Sequence, residues 1–171
     1  MARPRLSRHH PVHATVRLRP HVWNLRSQRG MAVVEAALRG AAERPGFRVT
    51  HFGAQGNHVH LIVEAAGADA LTSGMKAFSI RLAKGMNRLM GARGPVLEDR
   101  YHMHVLRTPA ETRRAVDYVT GNFENHARRR GEPVGEGFRD RFGSRERPEL
   151  VGQGETWLLR GVERSGRVGP G

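Results

Sequence analysis

The sequence contains no cysteine. Disulfides, thiolate nucleophiles and cysteine-ligated zinc or iron–sulfur centres are therefore excluded, and any metal ion must be bound by histidine, carboxylate or amide oxygen. The sequence also lacks an apolar run long enough to span a bilayer, and its arginine-rich start has no hydrophobic segment typical of a signal peptide. These absences favour a cytoplasmic protein without a membrane partner.

Acidic residues and lysine are scarce. The chain has 16 acidic against 29 basic residues, a formal charge of +13, and no acid before Glu35. Only Lys76 and Lys84 are lysines, and every other basic residue is arginine, whose planar guanidinium can pair bidentately with phosphate. Codon bias in a GC-rich genome also enriches arginine. An anionic polymer is the expected partner, and nucleic acid is the first candidate.

The length of 171 residues suits one domain with a core and terminal extensions. Residues 1–11 predict a loose basic arm. Residues 131–171 contain ten of the 21 glycines and many charges, which predicts a flexible Gly/Arg-rich tail that could dock on the domain through Trp157, Leu158 and Leu159. The boundary predicted from composition is therefore 1–130 for the domain and 131–171 for the tail.

Apolar periodicity predicts an α+β fold. The strands and helices expected from alternation, helical spacing, caps and turn residues are, in order, strand 12–18, helix 28–44, strand 47–55, a strand from His58, a helix from the N-cap Asp69 to Gly91, strand 100–106, and a helix from Thr108 to Arg129. The first six form the ferredoxin-like order βαββαβ, an antiparallel sheet with two helices on one face. The seventh, a C-terminal helix carrying Tyr118, is an addition to that fold.

The segment Gly56–Glu64 contains a His-x-His pair on a predicted strand. Side chains alternate along a strand, so His58 and His60 share one face while Val59, Leu61 and Val63 share the other. Two imidazoles on one side of a strand can hold a divalent cation. In a chain with ten histidines such a pair also arises by chance, so the pair alone does not establish a metal site.

Tyr118 is the candidate nucleophile. The chain has two tyrosines, and Tyr101 alternates with apolar residues, which indicates a packing role. Tyr118 lies on the polar side of its helix, where a third helix over the open sheet face would bring it to the histidines. A phenol with a pKa of about 10 needs a nearby cation to favour phenolate. With a metal ion polarising a phosphate, this phenol could attack phosphorus.

Asn122 follows Tyr118 by one helical turn, and its amide oxygen could complete the coordination sphere. An oxygen ligand with open water positions suits Mg²⁺ or Mn²⁺ better than a closed zinc site, although an ordinary surface asparagine explains the residue equally well. His102 and His104 form a second alternating pair that lacks a preceding turn and a following aliphatic run. They are kept as alternative ligands or as DNA-facing residues.

Basic residues on several predicted elements could follow a phosphate backbone, although such charges often form only a solvated surface. The predicted nucleic-acid contacts are Arg17, Lys76, Arg81, Lys84, Arg88, Arg100, His102, Arg128 and Arg129.

Four segments resemble the REP-associated branch of the single-tyrosine HUH insertion-sequence transposases. They are residues 10–18 (HPVHATVRL), 57–63 (NHVHLIV), 94–102 (GPVLEDRYH), and Tyr118–Val119 with Asn122. The resemblance covers about residues 8–130. It implies an HUH nuclease domain that cuts single-stranded DNA, leaving a 5′-phosphotyrosine on Tyr118 and a free 3′-OH that can rejoin a strand. It also implies metal ligation by His58 and His60, with Asn122 at the helix-borne ligand position.

The resemblance further implies hairpin DNA as substrate, a homodimer, and a nucleoid-associated place in the cytoplasm. Gly56 and Phe123 depart from the family pattern, since many relatives have proline at both positions. Two alternatives stay open. An RNA-recognition-type module has the same strand order without catalysis, but it needs aromatic residues on its central strands, where this chain has histidines. An HUH replication initiator shares the chemistry, although no helicase-like segment is present.

Overall fold

A computed structural model describes residues 5–166, so the ends of the predicted arm and tail, residues 1–4 and 167–171, lie outside it. The protein has one four-stranded antiparallel sheet, and it confirms the predicted α+β, ferredoxin-like fold. The strands run in the spatial order β2-β3-β1-β4. They are β1 (Val12–Arg17), β2 (Phe47–Ala54), β3 (His58–Ala65) and β4 (His102–Val105).

Helices α1 (Gln28–Ala42) and α2 (Ala68–Met90) pack against each other over one face of the sheet. The main core lies between them and the sheet, and it contains the fully buried Val59, Leu61 and Val63 of β3. Gly91 ends α2 in the left-handed conformation, with φ of 62°. None of the helices within residues 5–166 combines the length and apolarity needed to cross a bilayer.

The start of α2 differs from the prediction. Gly67, and not Asp69, is the N-cap, because the backbone N–H of Leu71 already donates to the Gly67 carbonyl at 3.0 Å. Asp69 instead lies in the first turn, where a carboxylate interacts favourably with the helix dipole.

The opposite face of the sheet carries helix α3 (Pro109–Arg129), and helix α4 (Trp157–Gly166) packs against α3. These helices bury a second, smaller apolar cluster on the sheet face that carries the even-numbered residues of β3. Its buried members are Ile62, Leu106, Ala115, Val116, Val119 and Leu159. The sheet therefore has helices on both faces, and α3 lies on the side of His58 and His60.

The start of α3 is fixed by a capping box. The Thr108 hydroxyl accepts a hydrogen bond from the Glu111 backbone N–H at 3.1 Å, and the Glu111 carboxylate accepts one from the Thr108 N–H at 3.2 Å. Pro109 occupies the first helical turn, as the sequence predicts.

Replacing Thr108 by alanine leaves one N-terminal N–H of α3 without its acceptor. We expect Thr108→Ala to lower the free energy of unfolding by about 1 kcal/mol, measured by urea denaturation. Thr108→Ser is the control, since it keeps the hydroxyl and should remain within about 0.5 kcal/mol of the wild type. Equal stability of the alanine variant and the wild type would contradict a stabilising role for this cap.

Residues 131–139 are largely exposed, but the chain from Asp140 onward packs on the domain, which differs from the predicted flexible tail. Arg26 forms a two-pronged ion pair with Asp140, at 2.9 and 3.1 Å, and its guanidinium lies 3.6 Å from the Phe123 ring centroid. Residues 142–144 hydrogen-bond to the outer edge of β2. Glycine content predicted flexibility, but β2 is an edge strand whose backbone groups need partners, and this segment supplies them.

A buried carboxylate holds the segment before α4. Glu64, on β3, accepts hydrogen bonds from the backbone N–H groups of Glu155 and Thr156 at 2.8 to 3.0 Å, and it pairs with Arg48 at 3.3 Å. Leu158 and Leu159 are buried, whereas Trp157 is 69% exposed. Two of the three residues predicted able to dock therefore do so.

Candidate active site

The candidate site lies on the sheet face below α3. Alternation along β3 directs His58 and His60 to this face, and the neighbouring β1 places Arg17 opposite His58 and Thr15 opposite His60. His13 lies two residues before Thr15 and so shares its face. Imidazole, hydroxyl and guanidinium groups from two adjacent strands are thus concentrated in one small area.

Tyr118 lies above these histidines within the same chain. Its ring centroid is 5.0 Å from that of His60 and 5.9 Å from that of His13, and the His58 and His60 centroids are 4.7 Å apart. Tyr118 is 43% exposed, so its phenol can be reached from solvent. The structure therefore brings the two strand histidines and the helix tyrosine together in one subunit.

The close approach of α3 depends on a glycine in β2. Gly53 is directly opposite His60 in the β2–β3 pairing. A Cβ at Gly53 would lie 2.2 Å from the carbonyl oxygen of Val119, the residue after Tyr118. Any side chain at Gly53 would therefore force the backbone of α3 away from the sheet beside the histidines.

The two ring nitrogens of His60 have different surroundings. Nδ1 lies 3.1 Å from the Thr15 hydroxyl and 3.1 Å from Nε2 of His13. Nε2 is buried and has no hydrogen-bond partner among residues 5–166. A buried nitrogen without a partner is costly unless a ligand occupies its lone pair, so this atom fits a metal-binding role.

Both strand histidines are neutral near pH 7. Burial is the main cause that lowers the pKa of His60, and electrostatic repulsion between a protonated His60 and neighbouring groups, first His58 and then His13, adds to it, so that the pKa is about 3. Burial also lowers the pKa of His58 to about 4, with added effects of Arg17 and His126. Neutral imidazole is the form that binds a metal ion.

Asn122 is 2% exposed, and its Nδ2 atom is buried without a hydrogen-bond partner among the described residues. The oxygen and nitrogen of an amide are interchangeable in such an assignment, so the oxygen can take this position. Residues 5–166 contain no group of three or more His, Cys, Asp or Glu side chains arranged to hold a metal. The candidate ligands are the two histidines and the Asn122 amide oxygen, one helical turn after Tyr118, and such a donor set would suit a hard cation that keeps water ligands.

The predicted nucleic-acid contacts are divided between two faces of the protein. Arg17 lies on the Tyr118 face, as does the exposed His102, which is opposite Thr15 in the β1–β4 pairing. Arg100 precedes β4, and its guanidinium is 5.7 Å from the Tyr101 ring centroid. The exposed Arg128 and Arg129 end α3. The other four, on α2 across the sheet, are Lys76, Arg81, Lys84 and Arg88.

His104, the other member of the second histidine pair, is opposite His13 and exposed. Its Nε2 is 3.9 Å from a carboxylate oxygen of Glu111. The structure therefore places His102 and His104 on the open half of the sheet face, beside the covered His58 and His60.

Sequence reasoning missed four residues of the site: His13, Thr15, Gly53 and His126. The alternation of β1 indicates that His13, Thr15 and Arg17 share a face, but only the pairing of β1 with β3 brings them to His60. His126 follows Asn122 by four residues, and this helical spacing was a usable signal.

No known protein-family model matches the sequence, and no curated protein matches it either. The fold does match a solved structure, a REP-associated tyrosine transposase bound to a REP hairpin. The alignment has a TM-score of 0.64, covers 91% of each chain, and has 17% sequence identity. This chain therefore has a fold similar to that of a REP-associated tyrosine transposase.

Proposed function

We propose that this protein is a transposase-type endonuclease and strand transferase that acts on single-stranded or hairpin DNA. The observation that carries the proposal is the meeting of an accessible tyrosine with two neutral strand histidines, with Tyr118 and His60 ring centroids 5.0 Å apart. The fold supports it, because the similar transposase was solved with a REP hairpin. The net charge of +13 suits a phosphate polymer.

The chemistry assigned to Tyr118 is a phosphoryl transfer. The phenol oxygen loses its proton and forms a bond to a backbone phosphorus, while the bond from that phosphorus to the 3′ oxygen breaks and the 3′ oxygen takes up a proton. The products are a 5′-phosphotyrosine and a free 3′-OH. In the reverse direction, a 3′-OH attacks the phosphotyrosine, rejoins a strand and releases the phenol.

His58, His60 and Asn122 are the residues that would hold Mg²⁺ or Mn²⁺. When bound there, such a cation supplies charge stabilisation at the scissile phosphate. The chain contributes fixed geometry, since the histidines project from a strand that is hydrogen-bonded on both sides. Arg17, opposite His58, adds a guanidinium that can pair with phosphate on the exposed side of the site.

The test is an adduct assay. The purified protein is incubated with end-labelled DNA hairpins that carry single-stranded flanks, with Mn²⁺ or with excess chelator, and is then analysed on a denaturing gel. We expect a protein–DNA adduct with the metal and none with the chelator. Tight binding without cleavage or an adduct on any flanked hairpin would contradict the proposal and favour a binding module. The metal-independent formation of an adduct would contradict the cation assignment.

A homodimer and a place with the nucleoid are part of the same proposal. The adduct assay reports on the homodimer when two catalytically dead variants with different defects are mixed. Activity restored by mixing Tyr118→Phe with His60→Ala would indicate that the tyrosine of one subunit acts at the histidines of another.

Three of the α2 cations, together with Arg29 of α1, are proposed as a second DNA contact. A groove of about 660 Å³ between α1 and α2 is lined by Arg29, Arg81, Lys84 and Arg88 around a floor of small and aliphatic residues. None of these four cations has a salt bridge within residues 5–166. Such a groove can hold phosphates at a distance from the cleaved strand.

Removing two of these charges should weaken DNA binding in a salt-dependent way. We expect the double variant Lys84→Ala/Arg88→Ala to reduce the slope of log Kd against log salt concentration by about 1.8, measured by fluorescence anisotropy with a labelled hairpin. Arg81 is left intact because it packs against the backbone of Gly40. The control is Arg39→Ala/Arg139→Ala, which removes two glutamate-paired arginines, and equal slopes for the two variants would contradict a specific role for the groove.

A further inference from the structure

Two side chains of β1 meet the same atom of His60. Thr15 is directly opposite His60 in the β1–β3 pairing. His13 is the diagonal neighbour of His60 on the same face of the sheet. The Thr15 hydroxyl and Nε2 of His13 each lie 3.1 Å from Nδ1 of His60. The other ring nitrogen, Nε2, is buried and has no partner among the described residues.

This asymmetry bears on which ring nitrogen of His60 carries the proton. A neutral imidazole has one N–H and one lone pair, and only the nitrogen with the lone pair can bind a cation. The hydroxyl oxygen of Thr15 and the Nε2 lone pair of His13 can both accept a hydrogen bond from an Nδ1–H. Each group can also donate to an Nδ1 lone pair, but that tautomer would leave an Nε2–H buried with no acceptor among the described residues, so Nδ1–H is favoured and Nε2 keeps its lone pair.

We propose that Thr15 and His13 are positioning residues for His60, which hold its proton on Nδ1 and so keep Nε2 available to a divalent cation beside Tyr118. The proposal rests on the proposed function for the identity of the cation. It adds two residues of β1 to the site, and neither is assigned as a metal ligand or as the nucleophile. Both act through His60.

The two residues contribute differently. Thr15 is β-branched and lies on a central strand, so its hydroxyl is held by a stiff side chain directly beside the ring. His13 is longer and also lies 5.9 Å from the Tyr118 ring, so it fills the space between the strand and the helix. Either acceptor alone can keep part of the preference for Nδ1–H, so both must be removed to lose it.

The test measures the tautomer and the metal affinity of the full-length protein without DNA. Nitrogen-15 NMR of the histidine side chains reports which ring nitrogen of His60 is protonated, and calorimetric titration with Mn²⁺ alone reports the affinity. We expect Nδ1–H in the wild type. In His13→Phe/Thr15→Val we expect a shift toward Nε2–H and a Kd for Mn²⁺ that is 10- to 100-fold weaker.

Two further variants separate positioning from a general loss of structure. Thr15→Ser in the His13→Phe background restores a hydroxyl and should recover most of the affinity and the Nδ1–H signal. Thr50→Val is the matched control, because Thr50 is a buried strand threonine whose hydroxyl lies 2.9 Å from Nδ1 of a different histidine, His51. It should leave the His60 signal and the Mn²⁺ affinity unchanged.

The results that overturn the positioning role are distinct from those that contradict the nuclease. A wild-type His60 protonated on Nε2, no Mn²⁺ binding by the wild type, or an unchanged affinity in the double variant each overturns it. The NMR readout needs neither DNA nor cleavage. The absence of a Tyr118 adduct contradicts the proposed function, whatever the tautomer of His60.

Discussion

Tyr118→Phe is expected to abolish both cleavage and covalent attachment to DNA while leaving hairpin binding nearly unchanged. The substitution removes only the phenol oxygen, which is the attacking atom in the proposed reaction. The ring remains in its edge contact with His60. No hydrogen bond to the Tyr118 hydroxyl is found within residues 5–166, so the stability should change by less than about 0.5 kcal/mol.

The assay for this variant is the denaturing gel with a labelled flanked hairpin, together with anisotropy for binding. Tyr101→Phe is the matched control, since Tyr101 is the other tyrosine of the chain and packs against the main core. It should form the adduct at the wild-type level. An adduct that persists in Tyr118→Phe, or disappears only in Tyr101→Phe, would assign the nucleophile to another residue.

Gly53→Ala is expected to separate the nucleophile from the histidines without unfolding the domain. The new Cβ would lie 2.2 Å from the Val119 carbonyl oxygen, and backbone cannot move aside as the end of a flexible side chain can. The segment of α3 that carries Tyr118 must therefore shift. A misplacement of about 1 Å at a reacting group can cost roughly 100-fold in rate, which is the loss expected here.

The rate of adduct formation under single-turnover conditions measures this loss. Overpacking should also lower the free energy of unfolding by about 1–3 kcal/mol, so the assay is run well below the midpoint of thermal unfolding. Gly121→Ala is the control within α3, because its Cβ would meet only the Asn125 side chain at 3.8 Å. A wild-type rate for Gly53→Ala would show that the close approach of α3 is not needed for the reaction.

Much of the fold could be predicted because local patterns and tertiary structure agree. The capping box at Thr108 and the left-handed Gly91 marked two helix ends correctly. Alternation in β3 separated Val59 and Leu61 from His58 and His60 correctly. These signals are short in range, since a cap or an alternation involves residues within about one helical turn or a few strand positions.

Apart from the N-cap of α2, which was misplaced by two residues, the structure differs from the predictions in segments whose partners are distant in the sequence. The glycines of residues 131–166 indicated flexibility, yet Asp140 pairs with Arg26, which lies more than one hundred residues away. The sequence predicted no role for Glu64, yet its carboxylate accepts hydrogen bonds from the backbone before α4. Composition could not show that the edge strand β2 would pair with the backbone of residues 142–144, or that Glu64 would accept hydrogen bonds from the backbone before α4.

The sequence by itself determined the order of strands and helices, the face on which the two strand histidines lie, and the helix that carries the tyrosine. Only the tertiary structure decided that α3 lies against the sheet beside Gly53, and that β1 supplies Thr15 and His13 to His60. The reason is physical. Periodicity and capping follow from backbone geometry within one element, whereas the meeting of β1, β3 and α3 depends on strand pairing and close packing between segments far apart in the chain.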